Sequence, residues 1–294
     1  MRVFLTGATG FIGAAIAKSL LASGHVVLGL ARSDAAAKSL RTAGAQVHRG
    51  DIEDCASLRS GAADADAVIH TAFNHDFSKF QANCENDRRA IEALGAALEG
   101  TDRPLVVTSG TGLVTPGRLA TEDDPVTSTS IPRVASEQAA AAVAARGVRV
   151  SVVRLPPSVH GDGDHAFVPL LIGVARKSGL SAFVSEGRNL WPAVNRLDAA
   201  ELFKLVLEKG APGARYHGVA EEGVEFRHIA EVIGRRLGVP VVSQSPEEAA
   251  AHFGWFAHFA ALNNPTSSRH TREVLGWQPR ERDLIPDLDQ AHYF

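Results

Sequence analysis

Short apolar runs alternate along the chain with longer segments in which apolar side chains recur every three or four positions. The runs Arg2–Leu5, Val26–Leu30, Gln46–His48, Ala67–Thr71, Leu105–Thr108 and Arg149–Leu155 predict strands. Most are continuous rather than alternating, as suits strands covered on both faces. The segments between them predict helices. In the first, Ile12, Ile16 and Leu20 fall on one stripe and Gly24 closes it. Repeated strand–helix alternation, with the right-handed crossovers that parallel pairing imposes, predicts an α/β fold with a doubly wound parallel sheet.

After Leu155 the alternation loosens. Residues 156–193 and 221–294 are richer in Pro, Gly, His and aromatic residues, including Phe167, Trp191, Trp255 and Trp277. Between these stretches, Leu197–Leu207 predicts a helix and Ala214–Val219 a strand that returns to the sheet. The expected organisation is one domain from 1–155 plus 194–220, and a small discontinuous C-terminal lobe from 156–193 plus 221–294, holding the substrate. The alanine run at 139–145 is strong helix former, not low complexity.

Composition narrows the class. The chain has 294 residues, enough for a full core, and a net charge of −3 with no basic clusters, which argues against a nucleic-acid partner. Cys55 and Cys84 are too few for a disulfide framework. The start lacks the pattern of a signal peptide and no apolar run reaches membrane-spanning length, so no membrane partner and a cytoplasmic location are expected.

The stretch VFLTGATGFIG sets Gly7, Gly10 and Gly13 between a strand and a helix. Glycine suits a tight turn at the strand end, close approach of backbone to a pyrophosphate, and close helix packing, while free N–H groups at the helix start favour the anion. Gly7, Thr9, Gly10, Phe11, Ile12 and Gly13 are therefore candidate dinucleotide-binding positions. At the end of the second strand a carboxylate would hold an adenosine 2′-hydroxyl; here Arg32 and Ser33 occupy that place. A guanidinium pairs well with a 2′-phosphate, so NADP(H) is the expected cofactor, with NAD(H) as the alternative that the following Asp34 keeps open.

The motifs TGATGFIG, RGDIED, VIHTAF, VVTSGTG, VVRLPPSVHG, VNRLDAAEL and LGWQP together resemble the short-chain dehydrogenase/reductase superfamily, in its extended and atypical, epimerase/dehydratase-like branch. The resemblance covers essentially the whole chain and implies a Rossmann sheet. It implies that Asp51 and Ile52 flank the adenine, that Thr71, Ala72 and Phe73 pass beside the ribose and pyrophosphate, that Thr108 borders the cofactor, and that Pro156, Ser158 and Val159 bracket the nicotinamide.

The family's catalytic set is an Asn, a Ser or Thr, and a Tyr-x-x-x-Lys pair. Aligning on Glu137 puts Arg133 at the lysine position and Thr129 at the tyrosine position; the only tyrosines, Tyr216 and Tyr293, lie elsewhere. Asp87 takes the Asn position, with Asn86 the match if the alignment shifts by one. Ser109 and Thr111 are the hydroxyl candidates. An aliphatic hydroxyl is too weak an acid to replace the phenol unless a base activates it, and Arg133 stays charged at any working pH, so it can stabilise an alkoxide or hold the ribose but cannot donate the proton.

The remaining proton carriers in the ligand-facing loop SVHGDGDHAF are His160, Asp162, Asp164 and His165; their spacing fits neither a zinc nor a calcium pattern, and no metal is expected. His165 also faces the expected substrate side, where Phe73, Phe167, Trp191, and Trp255 or Phe256 would wall an apolar pocket with Asn195 and Arg188 as polar anchors. The expected activity is NADP(H)-dependent oxidation or reduction of a small carbonyl or alcohol with a non-standard proton donor. The alternatives are an epimerase or dehydratase that retains its dinucleotide, and a non-catalytic NADP(H) sensor or scaffold. The resemblance also implies a homodimer through helices 83–99 and 132–146.

Overall fold

The computed structural model describes residues 1–114, 117–126 and 131–294. Its first half runs β1 (Arg2–Thr6), α1 (Phe11–Ala22), β2 (Val26–Ala31), α2 (Asp34–Thr42), β3 (Gln46–Arg49), α3 (Cys55–Ala63), β4 (Ala67–His70), α4 (Phe80–Ala96), β5 (Pro104–Gly110), α5 (Ala135–Ala145) and β6 (Arg149–Leu155). The remainder runs β7 (Ser158–His160), α6 (Phe167–Ser178), β8 (Ser181–Val184), β9 (Leu190–Asn195), α7 (Arg196–Lys209), β10 (Arg215–His217), β11 (Glu221–Glu225), α8 (Phe226–Leu237), β12 (Val241–Gln244), α9 (Pro246–Phe253), α10 (Ala257–Ala260), α11 (Arg269–Leu275) and α12 (Leu284–Leu288).

Seven strands form one sheet in the order β3-β2-β1-β4-β5-β6-β10, and every pairing in it is parallel. The continuous apolar runs are explained by cover on both faces. Val3 and Leu5 point into a core shared with α1, α2 and α7, while Phe4 points into the opposite core, shared with α3, α4 and α5. Strand order reverses between β1 and β4, and the loops after β1, β4, β5 and β6 meet along the carboxyl edge beside that reversal, where a doubly wound sheet binds its ligand.

A third core joins α6, β8, β9, α8, α9, α10 and α12, with two small sheets ordered β11-β9-β7 and β12-β8. Strand β9 stitches the cores together: Ala193 faces this one and Val194 the sheet-side core. One expectation is corrected. Leu275 and Trp277, assigned by sequence to the lobe, pack in the sheet-side core, and the Trp277 indole donates to the Asp198 carbonyl of α7 at 3.0 Å.

Candidate functional site

The glycine loop after β1 is shaped by contacts that exclude side chains. Gly7 has φ of +71°, and a Cβ there would lie 2.8 Å from the Ala72 nitrogen; a Cβ on Gly13 would lie 2.0 Å from the Gly7 carbonyl oxygen. The Gly10 N–H donates to that carbonyl at 2.8 Å, closing the turn. Gly10 is then the N-cap of α1, whose first turn has no side-chain cap and no acidic residue. Thr9 and Gly10 are exposed and Phe11 and Ile12 half-buried. An open backbone cradle with unsatisfied N–H groups is the donor set a pyrophosphate needs.

At the end of β2, the Arg32 side chain is 81% exposed, with Asp51 3.7 Å away. Ser33 caps α2 by accepting from the Ala36 N–H at 3.2 Å, and Asp34 is drawn aside to Arg49 at 2.9 Å. The guanidinium thus stands in solvent beside the strand end. Ile52 is half-buried and lines a shallow depression with Phe73, Asn74 and Asn86.

Beneath the edge runs a buried polar chain. Thr6 and His70 meet at 2.8 Å, His70 meets Asp87 through its other ring nitrogen at 2.9 Å, and Asp87 accepts from Arg133 at 2.6 Å and from Ser136. Arg133 also donates to the Thr108 carbonyl at 3.3 Å, and its guanidinium carbon lies 4.2 Å from the Phe73 ring centre. Burial pushes the Asp87 pKa up, but Arg133 and His70 outweigh it and leave the carboxyl below its ordinary range. Asp87, not Asn86, meets Arg133; the Asn86 side chain instead donates to Glu53 at 3.2 Å. Thr71 donates to the Thr6 carbonyl at 2.8 Å, and the Ala72 N–H donates to the Thr6 hydroxyl at 3.3 Å, which fixes the β4 loop against the glycine turn.

Several sequence-derived candidates are already engaged elsewhere. Ser109 is buried and donates to Glu137 at 2.7 Å, a carboxylate held by two hydrogen bonds from fully buried Arg154, each 2.8 Å. Thr111 is fully buried and donates to Asn264 at 2.7 Å. Neither hydroxyl is available to a substrate, which corrects both assignments. His160 is likewise corrected: it is fully buried in β7 and paired with Asp287 at 2.8 Å. Trp191 has no exposed surface and donates to the Phe259 carbonyl at 3.1 Å, so it is core, not pocket wall. Asn195 caps α7, accepting from the Leu197 N–H at 2.9 Å, and Arg188 is a surface residue paired with Glu186 at 3.0 Å. Thr129 lies outside the described residues.

Two exposed histidines lie in loops flanking this edge. His75, in the loop after β4, sets its ring edge-on to Phe73 at 5.2 Å. His165, in the loop before α6, sets its ring edge-on to Phe11 at 5.7 Å, and Arg196 lies 5.0 Å from that same Phe11 ring. The surrounding protein strips part of the hydration of His75, and this, followed by the nearby Arg133 charge, lowers its pKa. The sequence reading missed His75 and His70; His70 stood in the VIHTAF motif and His75 just beyond it, but single histidines next to a strand end carry no periodic signal.

The positions assigned to the nicotinamide end fit that group. Pro156 and Ser158 are buried and Val159 half-buried. The Ser158 hydroxyl, 1% exposed, has no hydrogen-bond partner among the described residues. A buried hydroxyl left unpaired costs stability unless a bound polar group satisfies it. With the glycine cradle, it makes the edge suited to a dinucleotide along its full length.

Comparisons with known proteins agree. A family model described as NAD dependent epimerase/dehydratase family matches residues 3–218. A Schizosaccharomyces pombe protein named Uncharacterized protein C2A9.02 is 51% identical over 100% of both chains. A 4-hydroxy-2-methyl-3-oxo-4-farnesyl-3,4-dihydroquinoline-1-oxide ketoreductase of Stigmatella aurantiaca is 28% identical, covering 86% of this chain and 80% of its own. The solved structure of DesIV, a dTDP-glucose 4,6-dehydratase of Streptomyces venezuelae with NAD bound, superposes with a TM-score of 0.78 at 20% identity, covering 99% of this chain and 96% of that one.

Proposed function

This chain belongs to the NAD dependent epimerase/dehydratase family, and we propose that within it the protein is an NADP(H)-dependent reductase of small carbonyl compounds whose proton comes from a histidine of the cleft. The observation that carries the reading is the continuity of one edge. An uncapped glycine cradle leads past Arg32 at one end and, at the other, to the Ser158 hydroxyl, unpaired among the described residues, and the two exposed histidines. The ketoreductase among the relatives supports reduction as the direction.

When bound, the dinucleotide supplies the hydride; the chain supplies position and a proton. The cradle would hold the pyrophosphate, Arg32 would pair the 2′-phosphate, and the Ser158 hydroxyl would anchor the carboxamide end. Arg133, braced by Asp87 and stacked on Phe73, stabilises negative charge developing on the carbonyl oxygen. It cannot release a proton. His75, packed on the same Phe73, is the donor: its imidazolium would give its N–H proton to the carbonyl oxygen, and the neutral ring would be reprotonated from solvent.

Titration with NADPH and NADH, followed by a panel of carbonyls and alcohols monitored through cofactor absorbance, tests the reading. Tight binding of NADPH and its consumption with at least one carbonyl is the expected result. Binding without consumption on any member would leave a dinucleotide sensor, and no binding of either cofactor would overturn the reading altogether.

A further inference from the structure

Next to His75, rings from three separate segments pack against one another. Phe73, Phe77 and Phe80 come from the loop after β4 and the start of α4; Phe167 comes from α6; Trp255, Phe256 and Phe259 come from the segment spanning the end of α9 and α10. Phe77 is the ring that joins them. It stacks on Trp255 at 4.6 Å and 24° and on Phe80 at 5.5 Å, and it approaches Phe259 at 6.1 Å and Phe167 at 6.3 Å. Its other neighbour is His75, at 6.4 Å.

Trp255 is the anomaly in this group. Phe256 is fully buried, yet Trp255 keeps 54% of its surface exposed, with Phe77 stacked on it and Phe256 and Phe259 edge-on. An exposed indole stacked on one half-buried ring is a surface on which a further aromatic ring can stack. The geometry points to a planar, uncharged aromatic group as the natural occupant, lying on Trp255 in place of Phe77 and carrying its carbonyl toward His75 and Arg133. We propose that the substrate class is aryl aldehydes and ketones, with Trp255 as the specificity-determining platform and Phe77 as its displaceable cover. This rests on the reductase reading above for turnover, but not for binding.

The test uses the full chain. Benzamide, which presents the phenyl ring and a carbonyl that hydride does not reduce here, is titrated against tryptophan fluorescence. Trp191 and Trp277 are buried, so Trp255 is the indole a ligand can reach. Quenching that saturates in the native protein and vanishes in Trp255→Phe is expected. Phe77→Ala, by uncovering the indole, should lower the half-quenching concentration about threefold. In parallel, kcat/KM with NADPH is compared for benzaldehyde and propanal, which share the reacting group and differ in the ring. The aryl compound should lead by about tenfold, the scale of one aromatic stacking contact with its buried area, and Trp255→Ala should erase most of that lead. Saturable quenching without turnover of either aldehyde would sustain the aromatic site while removing the reductase reading. Turnover of both aldehydes at equal kcat/KM, with no quenching, would do the reverse and overturn this proposal. A rise in half-quenching concentration in Phe77→Ala would make Phe77 a fixed wall and overturn its role as a cover.

Discussion

Arg133 donates to Asp87 at 2.6 Å from a position where its guanidinium also stacks on Phe73, so one side chain ties the start of α5 to α4 and to the cleft wall. Asp87 is 4% exposed and accepts from Ser136 as well. Removing one partner of such a pair strands the other charge in a low-dielectric site, at a cost of roughly 3 kcal/mol. Arg133→Ala should therefore lower the denaturant midpoint with little change in slope, and Asp87→Asn, which keeps shape and hydrogen bonding, should cost less. The pH sign follows from the depressed carboxyl. Its stabilisation is present above the ordinary Asp value of 3.8 and is lost as pH falls through the lower folded value. The stability gap between the native protein and Asp87→Asn should thus shrink below that pH, and a gap constant from neutral to acid would refute the assignment.

Gly13→Ala tests the cradle. The added methyl would meet the Gly7 carbonyl oxygen at 2.0 Å and its carbon at 2.7 Å, both backbone atoms that cannot rotate away. The turn must open, and the N–H groups at the start of α1 then lose their convergence. NADPH affinity, followed by enhancement of its fluorescence, should fall by about tenfold or more, since each charge-assisted hydrogen bond lost contributes on the order of 1.5–3 kcal/mol. Unchanged affinity would place the pyrophosphate elsewhere.

Arg32→Glu separates the two nicotinamide cofactors. The guanidinium is exposed, with Asp51 at 3.7 Å as its ionic neighbour, so its replacement disturbs little in the fold. A 2′-phosphate would lose a cation and gain a repelling carboxylate. NADPH affinity should fall roughly 10- to 100-fold while NADH affinity changes far less. Equal losses for both would show that Arg32 does not read the phosphate.

What the sequence made legible follows from how local each signal is. The strands β1 to β6 were readable because a strand covered on both faces must be apolar throughout, and the glycine loop because each glycine answers a steric demand only a few residues away. The short strands β7, β8, β9, β11 and β12 were not, since each spans only a few residues and its partner lies in a different segment. The same distance explains the errors at the site. Ser109 looked free, but Glu137, 28 positions away, accepts its hydrogen bond. His160 looked like a loop residue, but Asp287, 127 positions on, holds it in the interior. A lone hydroxyl or imidazole gives no hint of such a partner. Arg133 and Asp87 came through the family resemblance alone, and the structure adds their shared partner Ser136 and the His70 link to Thr6.

His75→Gln tests the proton donor through pH rather than through activity alone. The folded pKa of His75 lies below the ordinary 6.5, first because protein atoms displace its water and then because Arg133 is near. A general acid must start protonated, so the rate of carbonyl reduction should rise as pH falls through the region just below 6.5 and decline on the alkaline side. His75→Gln keeps a polar side chain of similar reach but cannot titrate. It should cut kcat by about 100-fold, within the usual range for a lost acid, and flatten that limb, while NADPH affinity stays near the native value. The companion variant His165→Gln should retain the limb, because that ring packs on Phe11. The same shift has a sign for stability: the unfolded chain binds a proton at His75 more readily than the fold does, so this residue costs stability as pH drops below 6.5, and His75→Gln should lessen the acid sensitivity of folding. A pH profile that keeps its limb in His75→Gln and loses it in His165→Gln would move the donor to His165.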